Sequence, residues 1–169
     1  MLEFVLVKWR PIPSLNAKKR EVMSTQPTMI TPEMDFGELT ENFELFDDWE
    51  DRYRYIIDLG RKLPPFPDEF KTDATKVRGC MSQVWLVPGH PNNAPEKFAF
   101  AADSDAHIVK GLIAVLGILF SGKSAKEIAA TDTEAALKTL GLDQHLSPTR
   151  RNGLVSMVGK IKGFAASSD

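Results

Sequence analysis

A regular spacing of apolar and polar residues begins at Phe36, after a segment interrupted by prolines. Apolar residues recur at three- and four-residue steps over residues 36–46, which predicts an amphipathic helix with one buried face. Asp48 can cap a second helix that runs to about Leu59, where Gly60 and then three prolines stop it. The first folded unit is therefore predicted to be a helical hairpin followed by a proline-rich crossing.

The pattern changes to a two-residue period between residues 75 and 102. Three short runs rich in β-branched and aromatic residues are predicted strands: residues 75–78, 83–87 and 97–101. Residues 88–95 are dense in turn-forming residues and join the last two runs. These features predict a small three-stranded antiparallel sheet.

The most apolar segment, residues 106–120, is predicted to be a core helix. It is shorter than the ~20 apolar residues that a membrane span needs. Asp103 and Asp105 precede it and are expected to cap it. Gly111 and Gly117 weaken the helix locally, and we expect them to permit close packing against neighbouring elements.

Capping signals predict three further helices. Residues 124–127 and 131–134 each match the capping-box pattern, and Ser147 with Pro148 marks the start of a final helix. The inner face of that helix is expected to hold Leu154, Val155, Val158 and Ile161. The chain therefore predicts one α+β domain over residues 36–165, with the helices packed on one side of the sheet.

Residues 1–35 lack this pattern and contain four prolines. Their apolar stretch is too short and too interrupted for a transmembrane helix, and no convincing secretory signal is present. We expect a poorly ordered N-terminal extension. A targeting segment stays open, as does a misassigned translation start upstream of Met23 or Met34.

At 169 residues with 43% hydrophobic and 26% charged residues, the composition is that of one soluble globular domain. A net charge of -2 argues against a nucleic acid partner. Residues 33–51 hold nine acids and no base, which indicates a solvated helical face or, alternatively, a docking surface. A single cysteine cannot form an intramolecular disulfide, which favours a reducing compartment such as the cytoplasm.

That cysteine, Cys80, lies where turn-forming residues meet a predicted strand. Free cysteines are often buried as small hydrophobic residues, and this is one interpretation. In the other, Cys80 is a nucleophile, because Gly79 opens access to the thiol and Arg78 favours the thiolate. The residue types alone leave both interpretations open.

Four segments in a fixed order resemble the SufE family of sulfur-acceptor proteins, which work with cysteine desulfurases in iron–sulfur cluster assembly. The segment around the cysteine is VRGCMSQVW, and the four are residues 55–60, 77–85, 104–112 and 144–154. The resemblance extends from about Phe36 to about Phe164. It implies an α+β fold of the SufE/IscU type.

The resemblance also implies a function. Cys80 would accept persulfide sulfur from a SufS-type cysteine desulfurase, stimulate that enzyme, and deliver the sulfur to a scaffold such as the SufBCD complex. Arg150 matches an arginine of the family's C-terminal segment and could support the thiolate or persulfide. No cofactor is implied for this chain, because pyridoxal phosphate belongs to the desulfurase. No metal or membrane partner is implied either. Whether the partner is of the SufS or the CsdA type stays open.

Two other functions compete with the sulfur carrier. Cys80 could act with His145 as base in a cysteine hydrolase or transferase, which requires the two side chains within hydrogen-bond reach. An iron–sulfur scaffold is disfavoured because clusters are normally held by several cysteines.

Met81 departs from the polar residue common in the family at this position, so we expect a more apolar wall beside the sulfur.

Overall fold

The computed structural model describes residues 27–167, and this part of the chain forms seven α-helices and a two-stranded sheet. The elements are α1 (Phe36–Glu44), α2 (Trp49–Arg61), a 3-10 turn (Asp68–Phe70), β1 (Val84–Gly89), β2 (Ala99–Ser104), α3 (His107–Phe120), α4 (Ala125–Ala130), α5 (Thr133–Thr139), α6 (Leu142–His145) and α7 (Pro148–Ser167). The predicted α+β class is confirmed. No helix in the described part is long and apolar enough to cross a membrane.

The helical hairpin forms as predicted, because its caps are local. The Asp35 and Glu38 side chains cap α1 reciprocally, each accepting a backbone N–H at 2.9 Å. Asp48 caps α2 by accepting the backbone N–H of Asp51 at 2.8 Å. Gly60 does not end α2, which continues to Arg61.

The predicted sheet of three strands is wrong in number, since the structure has two. β1 and β2 pair antiparallel, with Val84 opposite Ser104. The predicted first strand contributes only an isolated bridge between Lys76 and Trp85. Its pairing cannot continue, because the chain turns away at Gly79, where φ is +89°.

The predicted caps of the core helix are also wrong. Asp103 lies within β2, and the residue at the N-cap of α3 is Ala106, which makes no side-chain cap. Asp103 instead lies between the ammonium groups of Lys71 and Lys110, at 3.3 and 3.4 Å. The strand runs three residues beyond its predicted end at 101, so Asp103, which was expected to cap the helix, belongs to the sheet.

Helix α3 is the centre of the core, and glycines bring it close to α2. A Cβ on Gly111 would overlap the carbonyl oxygen of Ile56, and one on Gly60 would lie 2.5 Å from the Gly111 nitrogen. A Cβ on Gly117 would lie 2.6 Å from a methyl carbon of Ile30. The expected close packing at Gly111 and Gly117 is therefore confirmed.

Residues 27–35 lie on the folded domain. The Ile30 side chain is buried, and its backbone N–H donates to the Phe100 carbonyl at 2.8 Å. Residues 1–26 fall outside the described part, and the predicted boundary at residue 36 stays a prediction.

The C-terminal helices begin close to where their capping signals are. Ser124 and Glu127 form the predicted capping box of α4, while α5 is capped by Asp132. Ser147 accepts the Arg150 backbone N–H at 3.3 Å and so starts α7. The buried face of α7 holds Gly153, Leu154, Met157, Ile161 and Ala165, whereas Val155, expected on that face, is 68% exposed.

Candidate functional site

The loop that carries Cys80 spans residues 78–83 and is closed at its base. The backbone N–H of Val77 donates to the Val84 carbonyl at 2.8 Å, so the two ends of the loop lie side by side. Gly79 takes the left-handed conformation that turns the chain. A Cβ at Gly79 would lie 2.5 Å from Ser156 Oγ, so the loop presses against α7.

Cys80 is half-buried between this loop and α7. Its Sγ lies 3.6 Å from the Gly153 carbonyl oxygen, to which the thiol donates. A Cβ on Gly153 would lie 3.4 Å from Sγ, so a glycine here lets the helix backbone approach the sulfur. Burial raises the pKa of the Cys80 thiol, in contrast to the lowering expected from Arg78, whose side chain is exposed.

The raised pKa of Cys80 predicts how its reactivity depends on pH. A thiol with a raised folded-state pKa ionises at higher pH in the folded than in the unfolded chain. We expect iodoacetamide to alkylate Cys80 more slowly in the folded chain than in urea at the same pH, because the thiolate is the nucleophile. The stabilisation from the protonated thiol is complete below the unfolded-state pKa and is lost as pH rises through the folded-state pKa.

Two measurements check this expectation. Alkylation rates followed by mass spectrometry between neutral and alkaline pH should show the later ionisation in the folded chain. The stability of the wild type should also fall relative to that of Cys80→Ala as pH rises. Equal alkylation profiles in the folded and unfolded chains would contradict the burial of the thiol.

A small cleft of about 30 Å³ lies beside Cys80. Its apolar wall comes from β1, α3 and α7, and its polar side comes from the loop and the first turn of α7. The apolar residues of that wall are Val84, Val109, Leu112 and Met157, and the polar ones are Ser82, Thr149 and Arg150. Met81 of the loop also borders the cleft as expected, although its side chain is 85% exposed. The cleft is partly open to solvent and borders the thiol directly.

Arg150 is the cationic residue of this cleft. It lies in the first turn of α7, its side chain is exposed, and no ion pair is found for it within the part of the chain that the structure describes. The structure thus brings together Cys80 and Arg150, the two residues singled out from the sequence.

His145 does not line this cleft. Its ring stacks on Trp49 with the ring centroids 3.8 Å apart, and its carbonyl accepts the Tyr53 hydroxyl at 2.8 Å. No histidine is among the described residues that line the cleft, so the arrangement offers no general base for a cysteine hydrolase. Among residues 27–167, no cluster of His, Cys, Asp and Glu could hold a metal ion.

Asp105 holds the far end of the cysteine loop, a role that was missed in the sequence. Its Oδ1 accepts the backbone N–H of Gln83 at 3.0 Å, and its own N–H donates to the Gln83 carbonyl at 3.3 Å. The sequence suggests only a helix cap, because the contact joins positions 22 residues apart. Gly153 and Ser156 were missed for the same reason, since only the tertiary fold places them against the loop.

Replacing Asp105 with Ala is expected to loosen the loop. The change removes one hydrogen bond to a charged acceptor, which should increase the alkylation rate of Cys80 about 3- to 10-fold through local opening. Asp58→Ala, which removes an exposed carboxylate paired with Arg61, is the matched control and should leave that rate unchanged. Unchanged protection in Asp105→Ala would mean that this contact does not hold the loop.

A larger cavity of about 240 Å³ lies between residues 28–34, the end of α2, and α3. Its wall is mostly apolar, with Glu33 and Lys62 at the rim, and it contains no thiol or histidine. The larger cavity therefore offers no thiol or imidazole nucleophile, whereas the smaller cleft borders Cys80.

Comparison with known proteins finds a matching family and similar sequences over most of the chain. The family described as SufE, Fe-S metabolism associated domain, matches residues 37–165. A SufE-like protein of Rhizobium etli is 49% identical over 127 residues, covering 74% of this chain and 85% of the relative. A SufE-like protein of Rhizobium meliloti is 46% identical over 129 residues, covering 76% and 92% respectively.

The fold also matches a solved structure. The solution structure of a hypothetical protein from Thermus thermophilus superimposes with a TM-score of 0.63, covering 79% of this chain and 94% of that one. At 17% sequence identity, this likeness concerns the fold alone.

Proposed function

This chain belongs to the SufE family and so has a role in Fe-S metabolism as a sulfur acceptor; on that basis, we propose that Cys80 is the residue that receives the sulfur. The donor in this proposal is a SufS-type cysteine desulfurase, whose turnover rises when its persulfide is removed. The acceptor of the delivered sulfur is a SufBCD-like assembly scaffold. A single cysteine suits such work in the reducing cytoplasm.

The proposed step is a thiol exchange. The Cys80 thiolate attacks the outer sulfur of the donor's cysteine persulfide, the sulfur–sulfur bond of the donor breaks, and a new one forms at Cys80. The donor cysteine leaves as a thiolate. Any proton on the outer sulfur stays on that sulfur as it moves to Cys80. No external oxidant or reductant is required, because one persulfide is consumed for each one formed.

The observation that carries the proposal is the lining of the cleft that borders the half-buried Cys80 thiol. The apolar wall shelters the added sulfur from other thiols, while Arg150 offers a cation to the persulfide anion. The absence of a second cysteine supports carriage, since a neighbouring thiol would discharge the persulfide as a disulfide.

Intact-protein mass spectrometry tests the proposal. The chain is incubated with an active SufS-type cysteine desulfurase and cysteine, beside a Cys80→Ser variant. The wild type should gain the mass of one sulfur atom and lose it on reduction, while the variant gains nothing. If the desulfurase is active and the wild type stays unmodified, the assignment of Cys80 is wrong.

A further inference from the structure

The larger cavity, of about 240 Å³, has one wall that lies outside the family match. That wall is the segment of residues 28–34, which we call the N-terminal wall, whereas the SufE match begins at residue 37. The opposite sides are the end of α2 and the middle of α3, where Leu59, Ala114 and Ile118 are apolar lining residues. The sulfur-transfer step proposed above uses no residue of this cavity.

The N-terminal wall is anchored near both of its ends, so the cavity is formed in the folded chain without a ligand. Near its start, the Ile30 side chain is buried and the Ile30 backbone N–H donates to the Phe100 carbonyl at 2.8 Å. At its end, the Met34 sulfur accepts the Tyr55 hydroxyl at 3.7 Å. A site whose walls are already held in place loses little conformational freedom on binding, which favours affinity.

Two opposite charges border this mostly apolar cavity. Glu33 in the N-terminal wall and Lys62 at the end of α2 both line it, and both side chains are exposed. Neither forms an ion pair, with the other or with any other residue in the range 27–167. Lys62 has a structural use, because a cation at the C-terminus of α2 interacts favourably with the helix dipole. Glu33 has no capping role, since Asp35 supplies the cap of α1.

We propose that this cavity binds a small zwitterion with an apolar side chain, that is, an apolar α-amino acid. The ligand carboxylate pairs with Lys62, its ammonium group pairs with Glu33, and its side chain enters the apolar space between α2 and α3. An apolar cavity of about 150 Å³ can hold benzene, so a cavity of about 240 Å³ has room for an aliphatic side chain. Binding at this cavity does not depend on sulfur transfer at Cys80.

The lining of the cavity favours a zwitterion over other small ligands. A fatty acid would pair with Lys62 and leave Glu33 without a partner, and an aliphatic amine would do the reverse. A nucleotide carries several negative charges, whereas Lys62 is the one cation among the described residues that line the cavity. A ligand that carries both charges beside an apolar group matches all three features of the lining.

Isothermal titration calorimetry of the full chain tests the proposal with L-leucine as the probe. Two further compounds keep the aliphatic group of leucine: isocaproate lacks the ammonium group, and isoamylamine lacks the carboxylate. L-leucine should bind about 3- to 10-fold more tightly than either. Lys62→Gln should weaken the binding of L-leucine by a similar factor and leave that of isoamylamine unchanged. Glu33→Gln should likewise weaken the binding of L-leucine and leave that of isocaproate unchanged.

Ala114→Leu tests the apolar part of the cavity while both charges stay in place. Ala114 is buried and lines the cavity from α3, so the larger side chain should fill the space and abolish the binding of L-leucine. Thermal unfolding without ligand checks that this variant is folded, and the two charge variants provide the test if it is not. Cys80→Ser should bind L-leucine as the wild type does, which keeps this test separate from that of the sulfur carrier.

Lys126→Gln is the matched control, because Lys126 is an exposed lysine on α4 that does not line this cavity. The proposal is overturned if the wild type binds none of the three compounds, or binds all three equally. It is also overturned if Lys126→Gln loses as much affinity as Lys62→Gln, since the effect would then be one of net charge. If L-leucine binds only after Leu2 and Leu6 are both replaced by Asp, the cavity belongs to the N-terminal residues of the chain itself.

Discussion

Alanine in place of Gly111 is expected to lower the free energy of unfolding by about 3 kcal/mol. In an exposed helix the same change stabilises by up to about 1 kcal/mol, because alanine is the better helix former. Here the added Cβ would overlap the Ile56 carbonyl oxygen, a backbone atom that cannot move alone. Helices α2 and α3 would have to separate, and packing along their whole contact would be lost.

Gly159→Ala is the matched control for this prediction. Gly159 lies within α7, and a Cβ there would meet no atom within 4 Å. We therefore expect this change to raise the free energy of unfolding, while the change at Gly111 lowers it. Urea denaturation of both variants and of the wild type measures the difference. If both alanines stabilise the chain, α2 and α3 do not approach as closely as the structure indicates.

The Gly111 crossing also bears on the functional site. Val109 and Leu112, on either side of Gly111 in α3, form part of the apolar wall of the cleft beside Cys80. A shift of α3 away from α2 would therefore move the apolar wall beside the Cys80 thiol. The tight packing of the core and the shape of the cleft depend on the same helix.

What could be predicted from the sequence was largely local. Asp48, Ser124 and Ser147 mark helix starts because a capping side chain bonds to its own first turn. Gly111 and Gly117 could be recognised as points of close packing. Glycine lowers the stability of a helix, so two glycines in a core helix indicate that a neighbouring segment leaves no room for a Cβ. The resemblance pointed to Cys80 and Arg150, and the fold places both at one cleft.

The errors arose where long-range contacts decide the structure. Asp105 is of a residue type that often caps helices. Its side chain instead accepts the backbone N–H of Gln83 in the cysteine loop. Residues 75–78 have the composition of a strand, but the turn at Gly79 limits their pairing to one bridge. Val155 is apolar and was expected inside, whereas α7 turns Gly153 toward Cys80 and leaves Val155 in solvent.

Replacing Arg150 with Ala is expected to slow sulfur transfer to Cys80 about 10- to 100-fold at saturating donor. A charge-assisted hydrogen bond contributes about 1.5–3 kcal/mol, and each 1.36 kcal/mol is about tenfold in rate. Burial raises the pKa of the Cys80 thiol, so the thiolate needs a nearby cation at the moment of attack. Arg150 is the cation that borders the cleft.

The rate of mass gain in a single turnover measures this effect, with Arg54→Ala as control, because Arg54 is 68% exposed and lies on α2. Arg150→Lys keeps the charge and should recover part of the rate, although a lysine lacks the planar fork of donors. The stability of Arg150→Ala, Arg150→Lys and Arg54→Ala should stay near that of the wild type, because the side chains of Arg54 and Arg150 are exposed. If Arg150→Ala instead keeps the saturated rate and only weakens the affinity for the donor, Arg150 acts in donor binding and not on the sulfur during transfer.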